Sequence, residues 1–343
     1  MVIEGGYLRD ILAQPVALAN TLAALDPAAL QDTVTRWRDG RFDRAVLTGM
    51  GGSFWALHPL HLEMLHRGRN AVLVETSELI HVLPGLLDSR TLLIVCSQSG
   101  RSAETVRLLD VKQPGCFTLA VTNTPDSPLA RGSDAVVLTH AGEEFTVSSK
   151  TYVTALMALK WVADLFAGAD PDESRKELSR AAPGVADYLR DWRGHVQRAE
   201  AELTGVLDVF VLGRGTSLAA AGTAGLIIKE STHLHGEGMS AAAFRHGPWE
   251  MINATLYALV FAGEGPGAVL AGRLVSDIVA GGGKAGLAHE EADAAFLRLP
   301  RVPASVRPIV EILPVEIFTL ALASLAGREA GRFERATKVT TTE

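Results

Sequence analysis

The chain of 343 residues carries a formal net charge of −7, and its 32 lysines and arginines form no basic cluster. This charge pattern excludes nucleic acid and an anionic membrane as expected partners. Hydrophobic residues make up 48% of the chain and charged residues 21%, which excludes a disordered protein and, at this length, favours two compact domains.

The N-terminal stretch MVIEGGYLRDILAQP has no basic region followed by an apolar core, so it does not resemble a secretion signal. No segment is expected to reach the roughly 18 apolar residues of a membrane-spanning helix. The two cysteines, Cys96 and Cys116, are too few for a disulfide framework. We therefore expect a cytoplasmic protein in which both cysteines are small buried residues.

Helical and strand patterns alternate along the chain. Residues 7–38 have apolar side chains at helical spacing, interrupted by Pro15 and Pro27, which predicts two or three short helices. Five short apolar runs then alternate mostly with helix-length segments, and this rhythm predicts a parallel sheet in an α/β domain: RAVLTG, AVLVET, TLLIVC, FTLAVTN and DAVVLTH.

A domain boundary is expected after the middle of the chain. Residues 151–166 predict a core helix, and residues 169–203 predict a polar helical connection. We accordingly predict an N-terminal domain over residues 1–190 and a C-terminal domain over residues 191–343.

An internal repeat supports this division. VLTGMGGSFWAL at 46–57 aligns with VLGRGTSLAAA at 211–221 at a constant offset of 164 residues, which matches Gly49, Gly51 and Ser53 with Gly213, Gly215 and Ser217. Each copy contains a strand, a G-x-G-x-S turn and the start of a helix, which indicates a duplicated domain.

The glycine turns do not fit a nucleotide cofactor. A dinucleotide fingerprint requires a third small residue, and the two copies have Phe54 and Leu218 at that position. The sequence also lacks the G-x-x-x-x-G-K-[ST] pattern of a nucleotide phosphate loop. We therefore expect no cofactor.

The stretch CSQSGRSAET at 96–105 follows a buried apolar strand and has the chemistry of an anion site. Small residues leave backbone N–H groups accessible at a helix N-terminus, and serine hydroxyls donate to phosphate oxygens. A small phosphate monoester would fit such a loop. A plain helix cap with a flexible turn remains an alternative, and Arg101 could assist phosphate binding or face solvent.

Several motifs together resemble the sugar isomerase (SIS) domain family: GGS at 51–53, SQSG at 97–100, EEFTVSSK at 143–150, KESTHLHGEGMSAAAFRHGP at 229–248 and the tail KVTTTE. The motifs also resemble the isomerase half of glucosamine-6-phosphate synthase and its stand-alone relatives. The resemblance implies two tandem SIS domains, each a parallel sheet flanked by helices in three α/β/α layers with flavodoxin-like topology. It also implies a homodimer whose subunits share the active site.

The resemblance further implies roles for individual residues. The sugar phosphate would bind to Ser53, Ser97, Gln98, Ser99, Ser102 and either Ser148 or Ser149. Glu230 would move a proton between C1 and C2 of the open-chain sugar, and His246 would open the ring in the neighbouring subunit. Lys338 would form a Schiff base with the sugar carbonyl, which requires a neutral amine and hence burial or a nearby positive charge.

Each catalytic residue also has a structural alternative. Without the resemblance, Glu230 would be a solvated helix residue, His246 a structural hydrogen-bonding residue and Lys338 a mobile tail residue. The nearby His233, His235 and Glu237 do not have the i, i+4 spacing of helical metal ligands, so we expect a site without metal.

The departures from the family indicate a reaction other than amide transfer. The glutaminase domain of the synthase is not in this sequence, and Ile227 replaces the lysine that the synthase has three residues before its catalytic glutamate. We therefore expect a phosphosugar isomerase-type enzyme that acts on an amino- or keto-hexose 6-phosphate as a deaminase/isomerase. A fructosamine-6-phosphate deglycase, a non-catalytic phosphosugar sensor and a subunit using ammonia from a separate glutaminase are the alternatives.

Overall fold

The structure is a computed structural model that describes residues 2–340 and residue 342. It contains two compact units, which are described separately. The N-terminal unit comprises Val16–Glu144, Lys150–Arg180 and Ala336–Glu343, and the C-terminal unit comprises Met1–Pro15, Phe145–Ser149 and Ala181–Arg335. This division differs from the predicted domains 1–190 and 191–343. The boundary falls after Arg180, the N-terminal segment belongs to the C-terminal unit, and the C-terminal segment belongs to the N-terminal unit.

Specific contacts explain why each terminal segment belongs to the unit formed mainly by the other part of the chain. In the N-terminal unit, the backbone N–H of Ala103 donates to the carbonyl of Thr340 over 3.1 Å, so the tail is hydrogen-bonded to this unit. In the C-terminal unit, the hydroxyl of the fully buried Tyr7 accepts a hydrogen bond of 3.3 Å from Thr319. Periodicity along the chain does not report such long-range contacts.

The described residues form helices joined by loops and short 3-10 turns. The α-helices in this part of the chain are α1 (Gly6–Ala24), α2 (Gln31–Arg38), α3 (Gly51–Ala56), α4 (His58–His66), α5 (Thr76–His81), α6 (Ala103–Val111), α7 (Pro128–Arg131), α8 (Lys150–Ala167), α9 (Pro171–Leu178), α10 (Ala181–Leu189), α11 (Trp192–Leu203), α12 (Leu218–Thr232), α13 (Pro266–Ala280), α14 (Arg307–Val310) and α15 (Leu313–Leu325). The predicted core helix at 151–166 is confirmed as α8, and the predicted polar connection contains α9, α10 and α11.

Each unit is built on a parallel sheet. The strands in the described residues are β1 (Arg44–Gly49), β2 (Ala71–Glu75), β3 (Thr91–Cys96), β4 (Phe117–Thr122), β5 (Ala135–Leu138), β6 (Asp208–Gly213), β7 (His235–Ser240), β8 (Leu256–Phe261) and β9 (Lys284–Ala288). The five predicted apolar runs are confirmed as β1 to β5. Every residue of β3 is buried, as expected for an interior parallel strand.

The sheet of the N-terminal unit has the order β2-β1-β3-β4-β5, with all neighbours parallel. The sheet of the C-terminal unit has the order β7-β6-β8-β9, also parallel. Strand β6 thus lies between β7 and β8, as β1 lies between β2 and β3. Both matched glycine turns follow these equivalent strands. The α/β class with parallel sheets is thus confirmed, and the second sheet has four strands where the first has five.

Two sequence expectations are corrected. Helix α1 continues through Pro15, which was expected to interrupt it. The helical stretch Ala304–Leu325 is long and apolar enough to cross a membrane by length and composition, although no such segment was expected. It is the one helix of this kind among the described residues, and 89% of its most apolar window is buried inside the protein. Because core helices pass the same test, this helix is weak evidence for a membrane span.

Candidate functional site

The turn after β1 lies against the end of β3. A Cβ atom at Gly49 would approach the carbonyl oxygen of Cys96 to 2.8 Å, so only glycine fits this close contact. The Ser53 hydroxyl, in the first turn of α3, hydrogen-bonds to the Cys96 thiol. Burial raises the pKa of Cys96 to about 12, and the bond from Ser53 opposes this rise. Ser53 is therefore held beside the start of the serine-rich loop.

The serine loop, residues 97–102, connects β3 to α6. Within it, the Ser97 hydroxyl accepts a hydrogen bond of 3.2 Å from the N–H of Gly100, and the Ser99 hydroxyl accepts one of 3.2 Å from the N–H of Arg101. A hydroxyl that accepts in this way keeps its own hydrogen for donation. Ser97 and Ser99 can therefore donate to an anion while their oxygens stabilise the loop.

The loop is fixed to the neighbouring strand end through the backbone of Gln98. Its carbonyl accepts from the N–H of Asn123 over 3.0 Å and from the Thr122 and Thr124 hydroxyls over 3.2 and 3.3 Å. Gly100 has a φ of +57°, and a Cβ there would lie 2.4 Å from the Ser127 hydroxyl. A larger residue would therefore displace the loop.

Helix α6 begins at the end of the serine loop. Ser102 precedes its first residue, and the Ser102 and Thr105 hydroxyls lie 2.7 Å apart. The first backbone amide of the helix, on Ala103, is occupied by Thr340 of the tail. Arg101 is exposed, and its guanidinium donates to the carbonyl of Asp126 over 3.2 Å. The structure thus shows Arg101 bonded to a neighbouring turn.

The tail also carries Lys338 to the N-terminal unit. Its ammonium forms an ion pair of 2.5 Å with Glu144, whose side chain is fully buried, whereas the Lys338 side chain is 23% exposed. Glu144 also accepts hydrogen bonds from the N–H and the hydroxyl of Thr151 over 2.9 and 2.5 Å. The structure places Lys338 partly exposed and beside a carboxylate, so its burial or proximity to a positive charge stays a prediction.

Glu230 lies near the end of α12 in the C-terminal unit and is half-buried. Its negative charge acts on Tyr7, whose pKa is raised by burial first, by Glu316 next and by Glu230 to a smaller extent. Ile227, one helical turn earlier, is fully buried. A Cβ on Gly225 of the same helix would lie 2.5 Å from the N–H of Gly238, so glycines allow α12 to pack closely on β7.

His246 follows a short 3-10 turn and is exposed. Of the histidines considered as metal ligands, His233 ends α12 with a φ of +59° and lies 3.3 Å from the guanidinium of Arg328. His235 instead lies 3.5 Å from Asp208. In the described residues, no group of three or more His, Cys, Asp or Glu side chains could hold a metal ion.

The structure separates the two serines that the motif could not distinguish. Ser149 is fully buried in the C-terminal unit, where its hydroxyl accepts a hydrogen bond of 2.9 Å from Gln14. Gln14 also donates to the buried Glu316 over 2.6 Å. Ser148 is only half-buried and is therefore the more accessible of the two.

Comparisons with known proteins show a likeness to one domain family. Residues 42–163 match the family model described as "SIS domain". Over this range the chain is similar to the SIS domain family. This match includes β1 to β5 and the whole serine loop, so the likeness covers the sheet and the loop of the N-terminal unit.

One curated relative aligns with the whole chain. A "Glutamine--fructose-6-phosphate aminotransferase [isomerizing]" of Pyrococcus horikoshii is 29% identical over 362 residues, covering 100% of this chain and 59% of the relative. The chain thus spans about three fifths of the length of this curated relative.

Two solved structures have the same fold. The C-terminal domain of glucosamine-fructose-6-phosphate aminotransferase from Francisella tularensis has a TM-score of 0.84 and 21% identity, covering 96% of this chain and 98% of its own. A glucosamine-6-phosphate deaminase from Thermotoga maritima has a TM-score of 0.79 and 16% identity, covering 98% and 100%. At these identities the likeness establishes the fold.

A cleft adjoins the serine loop. It has a volume of about 810 Å³, and its lining includes Gln98, Asn123 and His140, but none of the loop serines. His140 has a φ of +48°, a backbone conformation that is uncommon outside glycine. The cleft therefore meets the predicted phosphate loop at one residue.

The C-terminal unit has an equivalent turn with different chemistry. Ser217, which matches Ser53, donates a hydrogen bond of 2.7 Å to Glu311. Burial raises the pKa of Glu311 to about 7, while Ser217 and Arg307 oppose this rise. This turn therefore places its serine against an internal carboxyl group.

The structure brings the predicted residues together in two groups. The N-terminal unit holds Ser53, Ser97, Gln98, Ser99, Ser102 and Lys338, and the C-terminal unit holds Ser148, Ser149, Glu230 and His246. The sequence did not indicate Glu144 as the partner of the tail lysine, or Thr151 as a donor to Glu144. Glu144 lies in the quoted EEFTVSSK motif, but nothing in that motif indicates a contact with a residue 194 positions away.

Proposed function

We propose that this protein is a phosphosugar isomerase-type enzyme that acts on an amino- or keto-hexose 6-phosphate as a deaminase/isomerase. One observation carries the proposal: the hydroxyl-rich loop of the SIS domain and the lysine-bearing tail lie in one unit, where Ala103 at the end of the loop binds Thr340. A loop suited to phosphate and an amine suited to a carbonyl are the two groups that such a substrate requires.

In this proposal the loop binds the non-reacting end of the sugar. The hydroxyls of Ser53, Ser97, Ser99 and Ser102 donate to phosphate oxygens, with Gln98 and Ser148 as further ligands. The helix dipole of α6 favours the negative charge. The loop needs no rearrangement to donate from Ser97 and Ser99, because their oxygens, and not their hydrogens, are used within the loop.

The remaining residues act on the reacting end. Glu230 removes a proton from one of C1 and C2 and returns it to the other, as aldose–ketose interchange requires. His246 assists ring opening, and Lys338 forms an imine with the open-chain carbonyl. The half-buried position of Glu230 supports its role, because a carboxylate that is not fully buried can still reach a bound substrate.

The relatives support the substrate class. Their names include an isomerizing aminotransferase of fructose 6-phosphate and a glucosamine-6-phosphate deaminase. We also propose that the two units are tandem SIS domains of flavodoxin-like topology and that the protein is a homodimer. The exposure of His246 supports the dimer, since an exposed side chain is available to a neighbouring subunit. Sedimentation showing a fully active monomer would refute it.

A substrate panel tests the reaction. The pure protein is incubated with glucosamine 6-phosphate, with fructose 6-phosphate plus ammonia, and with 6-phosphofructosyl amino acids. Turnover of the first two supports the deaminase/isomerase, and turnover of the third alone supports the deglycase. If fructose 6-phosphate plus ammonia is the only pair that reacts, and a glutaminase co-purifies, the protein is instead a subunit that uses ammonia from a separate glutaminase.

Matched variants separate enzyme from sensor. Glu230→Gln keeps the shape of the side chain and removes the base, so an enzyme should still bind the sugar phosphate and lose turnover. Ser99→Ala should weaken binding itself. Binding of hexose 6-phosphate by the wild type without turnover of any substrate would favour a sensor and overturn the enzymatic proposal.

A further inference from the structure

The buried carboxylate of Glu144 makes an unusual set of contacts with the tail. One oxygen accepts from the backbone N–H of Thr151, and the other accepts from the Thr151 hydroxyl and the Lys338 ammonium. The Glu144 side chain has no exposed surface. A charged group in this position is stabilised only where its partners are well placed, and here three donors converge on one carboxylate.

Thr151 gives this carboxylate a fixed orientation. It lies in the first turn of the buried core helix α8 and is itself buried, so its position is set by the packing of that helix. Its two bonds, of 2.9 and 2.5 Å, hold both carboxylate oxygens. Glu144 is therefore an acceptor of fixed orientation, and Lys338, on the tail, is its partly exposed partner.

We propose that Glu144 is the positioning residue of Lys338 and accepts its proton when the lysine attacks the sugar carbonyl. This inference rests on the proposed function. An ammonium has no lone pair, so Lys338 must lose a proton before it can form a carbon–nitrogen bond. The Glu144 carboxylate is in hydrogen-bond contact with the nitrogen that must lose it.

The step balances without any further reactant. The N–H bond of the ammonium breaks as an O–H bond forms on Glu144, and the amine lone pair then forms a bond to the carbonyl carbon. The carbonyl π electrons move to oxygen, which receives a proton from the attacking nitrogen. Glu144 returns its proton to this hydroxyl, which leaves as water. Ammonium and carbonyl thus become protonated imine and water, and Glu144 ends as a carboxylate.

Imine trapping tests the proposal. Protein and fructose 6-phosphate are treated with borohydride, and mass spectrometry follows the reduced adduct on Lys338. Glu144→Gln retains an acceptor for Thr151 but takes up no proton, so we expect trapping and kcat to fall at least about tenfold with KM little changed. Glu144→Asp should restore part of the rate. Glu173→Gln is the matched control, because it breaks a Glu–Lys pair in the same unit that is 70% exposed on both sides, and it should behave as wild type.

The outcomes distinguish this inference from the proposed function. Equal trapping and kcat in wild type and Glu144→Gln would overturn the role of Glu144 while the function stands. If the wild type neither traps nor turns over, the proposed function fails. Acylation of Lys338 by a small amine-reactive acylating reagent then tests whether Glu144 holds the Lys338 ammonium. Faster acylation in folded Glu144→Gln than in wild type supports Glu144 as the group that holds the ammonium; equal rates overturn it. Thermal unfolding of each variant confirms that it is folded.

Discussion

The backbone N–H of Ala103 donates to the carbonyl of Thr340, so the first amide of the helix after the serine loop is bound to the tail. In a free helix this amide is one of the donors available to an anion. The tail therefore contacts the same helix terminus that is proposed to attract the sugar phosphate. Binding of the phosphate and placement of the tail should consequently influence each other.

Deletion of residues 336–343 tests this relationship. We expect loss of turnover, because Lys338 is removed, but continued binding of hexose 6-phosphate, because the serine hydroxyls remain and the Ala103 amide is released. The free energy of unfolding should fall by several kcal/mol, up to about 5, because removal of Lys338 takes a cation away from the buried Glu144 carboxylate. Calorimetric titration and urea denaturation provide the measurements. Loss of sugar-phosphate binding in a folded deletion protein would contradict this account.

Gly100→Ala should disrupt the serine loop. The φ of +57° is unfavourable for alanine, and the added Cβ would lie 2.4 Å from the Ser127 hydroxyl. Gly40 has a similar φ of +68° with nothing within 4 Å, so Gly40→Ala should lose only about 1 kcal/mol of stability. We expect Gly100→Ala to lose about 1–3 kcal/mol more and to bind hexose 6-phosphate weakly. Equal affinity in the two variants would show that the loop conformation is not required.

Glu311 should make stability depend on pH. Burial raises its pKa from 4.5 to about 7, so the folded protein binds more protons than the unfolded chain between these values. Its contribution to the free energy of unfolding is therefore complete below pH 4.5 and decreases as the pH rises to about 7, by at most about 3 kcal/mol. In urea denaturation at several pH values, Glu311→Gln should have a flatter profile than wild type over this range. If the pH profile of Glu311→Gln matches that of wild type, Glu311 is not the source of this pH dependence.

Both cysteines should be unreactive in the folded protein. Burial raises the pKa of Cys96 to about 12 and that of Cys116 to about 11, so the reactive thiolate is scarce at pH 8. Labelling with a thiol reagent should be slow until urea is added and should then modify both residues. Rapid labelling under native conditions would show that the strand ends open.

The sequence predicted elements whose signal is local. Buried parallel strands appear as continuous apolar runs, so β1 to β5 could be read directly from the chain. Strand β7, with the sequence HGEGMS, has no such run, because its glycines permit close packing of α12 instead of providing apolar side chains. Pro15 wrongly predicted the end of a helix, since α1 continues through it.

The candidate site was predictable to the extent that motifs mark it. The serine loop and its position at a strand end followed from sequence, because the change from apolar to hydroxyl residues is abrupt. The contact of Lys338 with Glu144 could not follow, since it joins positions 194 residues apart and depends on where the tail folds. The difference in accessibility between Ser148 and Ser149 could not follow either, because a motif does not contain burial.

The two matched turns have a consequence for stoichiometry. Ser53 lies beside an open hydroxyl loop, whereas Ser217 is bonded to Glu311, a residue with 1% exposure. A carboxylate in that place would repel a second phosphate, and a protonated one would still fill the space. One chain should therefore bind a single equivalent of phosphosugar, although its architecture contains the same turn twice.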